Sequence, residues 1–147
     1  MRTIVIATLF AAAMVPMQNP SRPAPAYRPE VTLQLAVADL DRSIRFYQEV
    51  MGFKVTERRD DLKFAHISTN VPGLELGLNQ VSSPAPSNAV VINFSVVDVD
   101  AARAGLEAKG VTFPLPTQVI PGKVALAGFS DPDGHRLRFA GPPPKSQ

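Results

Sequence analysis

The chain contains nearly the same unit twice. Residues 31–55 read VTLQLAVADLDRSIRFYQEVMGFKV and residues 91–113 read VINFSVVDVDAARAGLEAKGVTF. Asp39 aligns with Asp98 and Asp41 with Asp100, an offset of 59 residues. Leu33, Leu35 and Val37 align with Ile92, Phe94 and Val96. Each copy reads as strand, Asp-apolar-Asp turn, helix, glycine, strand. A unit this short cannot bury its own sheet face, so two copies are expected to pack as one domain around a shared cavity. The length of 147 residues, with 45% hydrophobic and 19% charged side chains, suits a single globular domain with a real core.

The repeat leaves the N-terminal region outside it. Arg2 followed by the apolar run TIVIATLFAAAMV, residues 3–15, has the form of a secretory signal. The run is short for a membrane-spanning helix. Ala11-Ala12-Ala13 and Ala24-Pro25-Ala26 both offer small-residue cleavage sites. Residues 1–26 are read as signal peptide and the start of a proline-rich tether, which continues through residues 27–30. Export predicts a periplasmic or secreted protein, without a membrane partner after cleavage. Cleavage after residue 26 removes two arginines and no acid, leaving 13 basic against 13 acidic side chains. With a neutral mature domain and no basic run, nucleic acid is not an expected partner. The absence of cysteine excludes disulfides and thiolate chemistry.

Periodicity supplies the remaining elements. Leu40, Ile44, Tyr47 and Met51 fall on one helical face, so a helix is expected over residues 41–51, ended by Gly52. A second is expected over residues 99–109, ended by Gly110. Strands are expected at residues 31–37, 53–57, 62–68, 74–79, 90–97, 112–117, 123–129 and 136–140. Asp131-Pro132-Asp133-Gly134 is a strong turn sequence between the last two. Residues 31–80 and 90–140 are thus two βαβββ modules of one domain spanning 31–140, joined by a linker at residues 82–88. Residues 141–147, with three consecutive prolines, are expected to form a frayed tail.

Asp39-Leu40-Asp41-x-Ser43-Ile44-x-Phe46-Tyr47, followed by Gly52-Phe53, together with the late Asp131-Pro-Asp-Gly-His135, resembles the vicinal oxygen chelate superfamily. That group includes glyoxalase I, bleomycin-resistance proteins, fosfomycin-resistance enzymes and extradiol dioxygenases. The resemblance covers residues 31–140. It implies an α+β fold in which tandem βαβββ modules form a cupped, incomplete eight-stranded mixed sheet around a cavity. It also implies a homodimer. The fold hosts many functions, so activity must be argued from the site.

Metal-dependent members place His, Gln or Glu on the first, fourth, fifth and eighth strands, where they hold a divalent cation. Motif spacing puts Thr32, Glu75, Val91 (or Asn93 after a two-residue slip) and Arg138 at these positions. Only Glu75 is a good ligand, and Arg138 brings positive charge where a cation would sit. The sequence thus argues against the usual metal site, and no cofactor is expected. An ion pair between Glu75 and Arg138 is the expected replacement. The alternative has Arg138 in solvent, with Leu137 and Phe139 forming the inner face.

The expected ligand-binding set is Gln34, Glu75, Asn79, Asn93, Ser95 and Arg138, mostly neutral hydrogen-bonding groups on strands. Their alternative is ordinary outward polarity. His66 is read as a satisfied strand histidine, His135 as an exposed residue after the turn, and Phe46 and Tyr47 as packing residues. No catalytic residue is assigned. The leading expectation is an exported small-molecule-binding protein that sequesters its ligand, as the bleomycin-resistance branch does. The alternatives are a glyoxalase-like lyase or isomerase, or a dioxygenase-like enzyme, using Glu75, Gln34 and His66 around a noncanonical metal, or a partner-binding module.

Overall fold

A computed structural model describes residues 28–86 and 89–144. The expected signal peptide, most of the tether and the last three residues of the tail lie outside these described residues. The elements run β1 (Val31–Val37), α1 (Leu40–Arg45), β2 (Lys54–Arg59), β3 (Phe64–Ser68) and β4 (Leu74–Gln80) in the first module. The second contains β5 (Val91–Ser95), α2 (Val99–Glu107), β6 (Gln118–Ile120), β7 (Val124–Ser130) and β8 (Arg136–Gly141).

The repeat is realised residue by residue at the helix starts. Asp39 and Asp98 are both extended, with φ of −138° and −140°. Each carboxylate accepts a backbone N–H three residues on, from Arg42 and from Ala101, at 2.9 Å. These caps satisfy donors the first helical turn would otherwise leave open. Gly52 and Gly110 follow the helices with φ of +71° and +85°, a conformation that favours glycine. The first helix does not run uniformly to Met51 as expected: a π-helical turn, Phe46–Val50, follows α1.

The strands form two four-stranded sheets, ordered β1-β4-β3-β2 and β5-β8-β7-β6. In each, the first strand lies parallel to the fourth and the other pairings are antiparallel. The cup is therefore built from two sheets rather than one continuous eight-stranded ladder. α1 packs on β3 and β4, and α2 on β7 and β8. Alternation along the strands does the sorting. Leu35, Val37, Ile67, Leu76 and Leu78 are buried on the helix side of the first sheet, as are Ile92, Phe94, Phe129, Leu137 and Phe139 in the second.

The sixth strand departs from expectation. Residues 112–117 form no strand, and pairing begins only at Gln118. Pro114 and Pro116 lack the N–H that a ladder requires, which breaks the pairing there. Phe113 still anchors the segment in the core. At the other end, β8 runs through Gly141, the first residue of the expected tail, which pairs with Ala125.

The modules are locked together by the turn after β7. Asp133 Oδ1 accepts the Ala38 N–H at 2.8 Å and Arg42 Nη2 at 2.6 Å, while Oδ2 accepts Ser43 Oγ at 2.7 Å. Asp131 Oδ2 accepts Tyr47 Oη and pairs with His135 Nδ1, both at 2.8 Å. Its Oδ1 accepts the backbone N–H groups of Asp133 and His135. Both carboxylates are essentially excluded from solvent, at 0% and 1% side-chain exposure. From the other direction, Lys109 Nζ donates to the carbonyls of Glu49 and Val50 at 2.9 and 3.0 Å. Phe53 meets Phe94 across the joint with ring centroids 5.6 Å apart.

Burial, then the charge of Asp131 and its hydrogen bond, raise the Tyr47 phenol well above its ordinary value. Above about pH 10 the unfolded chain loses this proton while the folded chain keeps it, so stability falls as pH rises. Tyr47→Phe should cost about 1–3 kcal/mol at neutral pH by removing the bond to Asp131. It should also flatten the alkaline decline. Urea unfolding of both proteins between pH 8 and 11 measures the two effects, and parallel pH slopes would exclude Tyr47 as their source.

Candidate functional site

The strand faces turned away from the helices carry the polar residues. In the first sheet, Thr32, Gln34 and Ala36 of β1 lie beside Glu75, Gly77 and Asn79 of β4. Phe64, His66 and Ser68 of β3 complete the row. In the second, Val91, Asn93 and Ser95 of β5 lie beside Arg136, Arg138 and Ala140 of β8. All six sequence-predicted site residues therefore occupy this open side, but in two separate clusters.

The first cluster is held by an amide pair. Asn79 Nδ2 donates to Gln34 Oε1 at 2.6 Å, and the Gln34 amide lies directly over Gly77, where any Cβ would overlap it. Glycine within a strand marks this kind of close approach. Next to it, His66 Nε2 is 3.6 Å from Glu75 Oε2, both side chains about one third exposed. The Phe64 ring packs on His66 with centroids 5.4 Å apart. His66, read from the sequence as a satisfied strand histidine, thus has Glu75 beside it on the open side.

In the second cluster, Arg138 Nε donates to Asn93 Oδ1 at 2.5 Å. Arg138 is half-buried and faces the open side, so Leu137 and Phe139 are indeed inner while Arg138 is not simply solvated. The expected Glu75–Arg138 ion pair does not form. The two residues belong to different sheets, and each has found a nearer partner, His66 for the acid and Asn93 for the guanidinium. Ser95 is exposed at the end of β5, opposite Ala140.

Two cavities open along this side. One of 540 Å³ runs along the edge of β1 and takes residues from both faces of that strand, Gln34 and Leu35 among them, together with Pro86, Ile92, His135 and Arg136. The second, of 180 Å³, lies against the second sheet and is lined by Gln118, Leu126, Gly128, Ser130, Arg136 and Arg138, under the loop through Leu115. Among the described residues no three His, Asp or Glu side chains converge as a metal would need. What the arrangement offers a ligand is amide donors and acceptors, hydroxyls and a guanidinium above apolar strand surface.

Three features escaped the sequence reading. His135 is not an exposed turn residue: its side chain is 12% exposed and bonded to Asp131. Tyr47 is both a packing residue and the donor that reaches that same carboxylate. The proline loop at residues 114–116 roofs the smaller cavity because it is not a strand. The glycine inside LELGLNQ was the readable signal for the Gln34 notch.

Residues 31–139 match the model of the Glyoxalase/Bleomycin resistance protein/Dioxygenase superfamily. A curated relative, glyoxalase domain-containing protein 4 of Rattus norvegicus, is 27% identical over 122 residues, covering 77% of this chain and 41% of that protein. The chain therefore spans less than half the length of this relative. A superfamily member from Sphaerobacter thermophilus superposes with a TM-score of 0.66 at 22% identity, covering 80% of this chain and 98% of that one. TnmS3, an antibiotic binding protein from Streptomyces sp. CB03234, superposes at 0.65 with 22% identity, covering 82% and 99%. With the paired βαβββ modules, these similarities establish that the chain belongs to the glyoxalase, bleomycin resistance protein and dioxygenase superfamily.

Proposed function

We propose that this protein is an exported small-molecule-binding member of the superfamily that holds its ligand on the open side of the two sheets without a metal. The observation carrying this reading is the separation of the charged groups. Glu75 lies on the first sheet and Arg138 on the second, with amide and hydroxyl groups around both. A divalent site needs three or four donors converging on one point. Thr32, Glu75, Asn93 and Arg138 do not make such a set, and a guanidinium opposes a cation. Cavities that set a few polar groups, Gln34 in one and Gln118, Ser130 and Arg138 in the other, among apolar residues instead orient and desolvate an organic ligand. The likeness to an antibiotic binding protein is consistent with sequestration as the task.

The competing reading is a lyase, isomerase or dioxygenase-like enzyme built on Glu75, His66 and Gln34. It draws on the 3.6 Å approach of His66 to Glu75 with Gln34 across Gly77. Against it, Gln34 Oε1 already accepts from Asn79.

Elemental analysis of purified protein is expected to give zinc, nickel and manganese well below one equivalent. Stoichiometric metal that is lost in Glu75→Ala would overturn the binding reading in favour of the enzyme. Because the Glu75–His66 pair is open to solvent, Glu75→Ala should change unfolding free energy by no more than about 1 kcal/mol. A larger loss would show that the carboxylate supports the fold.

Export from the Arg2-led apolar run predicts that protein recovered from the periplasm or medium lacks its first residues, as mass spectrometry would show. An intact Met1 on stable cytoplasmic protein would reject this. A homodimer is proposed from family membership, and light scattering at micromolar concentration should give twice the chain mass.

A further inference from the structure

The smaller cavity has a charge character that the binding reading leaves open. The strands of the second sheet contain two charged residues, Arg136 and Arg138, and no acid. The two alternate on β8 and so share the open face, and both line the 180 Å³ cavity. None of the residues lining that cavity is acidic. Arg138 is half-buried, and its hydrogen bond goes to a neutral amide, Asn93 Oδ1, through Nε. No carboxylate among the described residues pairs with it. This orientation leaves the terminal fork of the guanidinium available, which is the part that matches a planar or tetrahedral oxyanion in bidentate fashion.

The surroundings complete a ligand-shaped arrangement. Gly128 lies directly opposite Arg138 in the β7–β8 ladder, and a Cβ built there meets nothing within 4 Å. The space beside the guanidinium is therefore real, and it is bounded by Ser130 and Gln118 as further hydrogen-bonding groups. Leu115 and Leu126 supply apolar surface on the same lining. Partial burial without a counter-charge weakens the hydration of a guanidinium, and an incoming anion supplies what the protein itself does not.

Resting on the proposed small-molecule cup, we infer that the cavity at Arg138 is a subsite for an oxyanion, a carboxylate or a tetrahedral phosphorus oxyanion, carried on a small apolar body. The anionic group meets the guanidinium fork, and the body lies against Leu115 and Leu126.

The test uses the full chain, titrated with benzoate, phenylphosphonate and neutral benzamide, and followed by amide proton–nitrogen shifts. At least one of the two anions should bind ten-fold or more tightly than benzamide, with the largest shifts at Gly128, Ser130 and Asn93. The tighter of the two identifies the oxyanion geometry. Arg138→Gln should reduce that anion to the level of benzamide while leaving benzamide itself unchanged. Gly128→Leu, whose Cβ has room, should block all three by filling the space, and thermal melting confirms that each variant folds. Should Arg138→Gln fail to fold, the anion preference of the unaltered chain and its loss in Gly128→Leu decide the matter. Equal binding of benzamide and both anions, or an anion preference that survives Arg138→Gln, overturns the oxyanion subsite while the cup stands. Absence of any shift on the open side with all three probes counts against the cup as well.

Discussion

The joint between the two modules depends on two buried carboxylates. Asp131 and Asp133 sit in one tight turn of the second module, yet four of the seven hydrogen bonds on their carboxylate oxygens come from the first module, from Ala38, Arg42, Ser43 and Tyr47. Each oxygen has at least one donor, which is the condition under which a buried carboxylate is tolerable. The geometry is demanding: a shift of one residue in the turn would strand Tyr47, Ser43 and the Ala38 N–H together. The joint therefore fixes the relative position of the modules far more sharply than the apolar core could alone, because hydrophobic burial is non-directional. Lys109, reaching back to the end of the π-helical turn, closes the second point of attachment.

That division leaves the open faces free of structural duty. In each sheet the buried helix-side residues are aliphatic or aromatic, while Gln34, Glu75, Asn79, Asn93, Ser95 and Arg138 stand on the opposite face, exposed or partly covered. Strand alternation separates the two populations cleanly. Residues such as Gln34, Asn79, Asn93 and Ser95 can thus vary without touching the core. This is a physical basis for one fold carrying many sites.

The parts of this protein that were legible in the sequence are the parts governed by local rules. The Asp caps, the glycines after the helices and the alternation of β1, β4, β5 and β8 follow from neighbours a few residues apart. The sixth strand was misread because apolar residues at 113 and 115 imitated strand periodicity, while Pro114 and Pro116 denied the ladder its donors. The Glu75–Arg138 pair was misread for a different reason. Residues predicted on homologous strands share a face, but periodicity carries no information on the distance between two sheets. Each side chain found a partner one strand away first, His66 and Asn93, and neither needed the other. His135 looked exposed because it follows a turn, although the same turn folds its carboxylate back onto the ring.

The two modules repeat the same element order and differ in the charges their strands carry. The first sheet's strands carry Glu57 and Glu75 among Lys54, Arg58 and Arg59, and these largely answer one another or nearby groups. The second sheet's strands carry arginines alone. The repeat aligns Thr32 with Val91 and Gln34 with Asn93, so β1 and β5 kept uncharged residues at these positions. The divergence lies in the strands that pair with them: Thr32 faces Glu75 across one ladder, whereas Val91 faces Arg136 across the other. A ligand against the second sheet would therefore meet arginines, whereas one against the first would meet acids and bases together. In a partly desolvated cleft such a difference in charge is felt more strongly than in water, so it sets the orientation in which a polar molecule lies. The repeat supplies the two sheets, and the exchange of Glu75 on β4 for Arg136 and Arg138 on β8 makes their open faces chemically unlike.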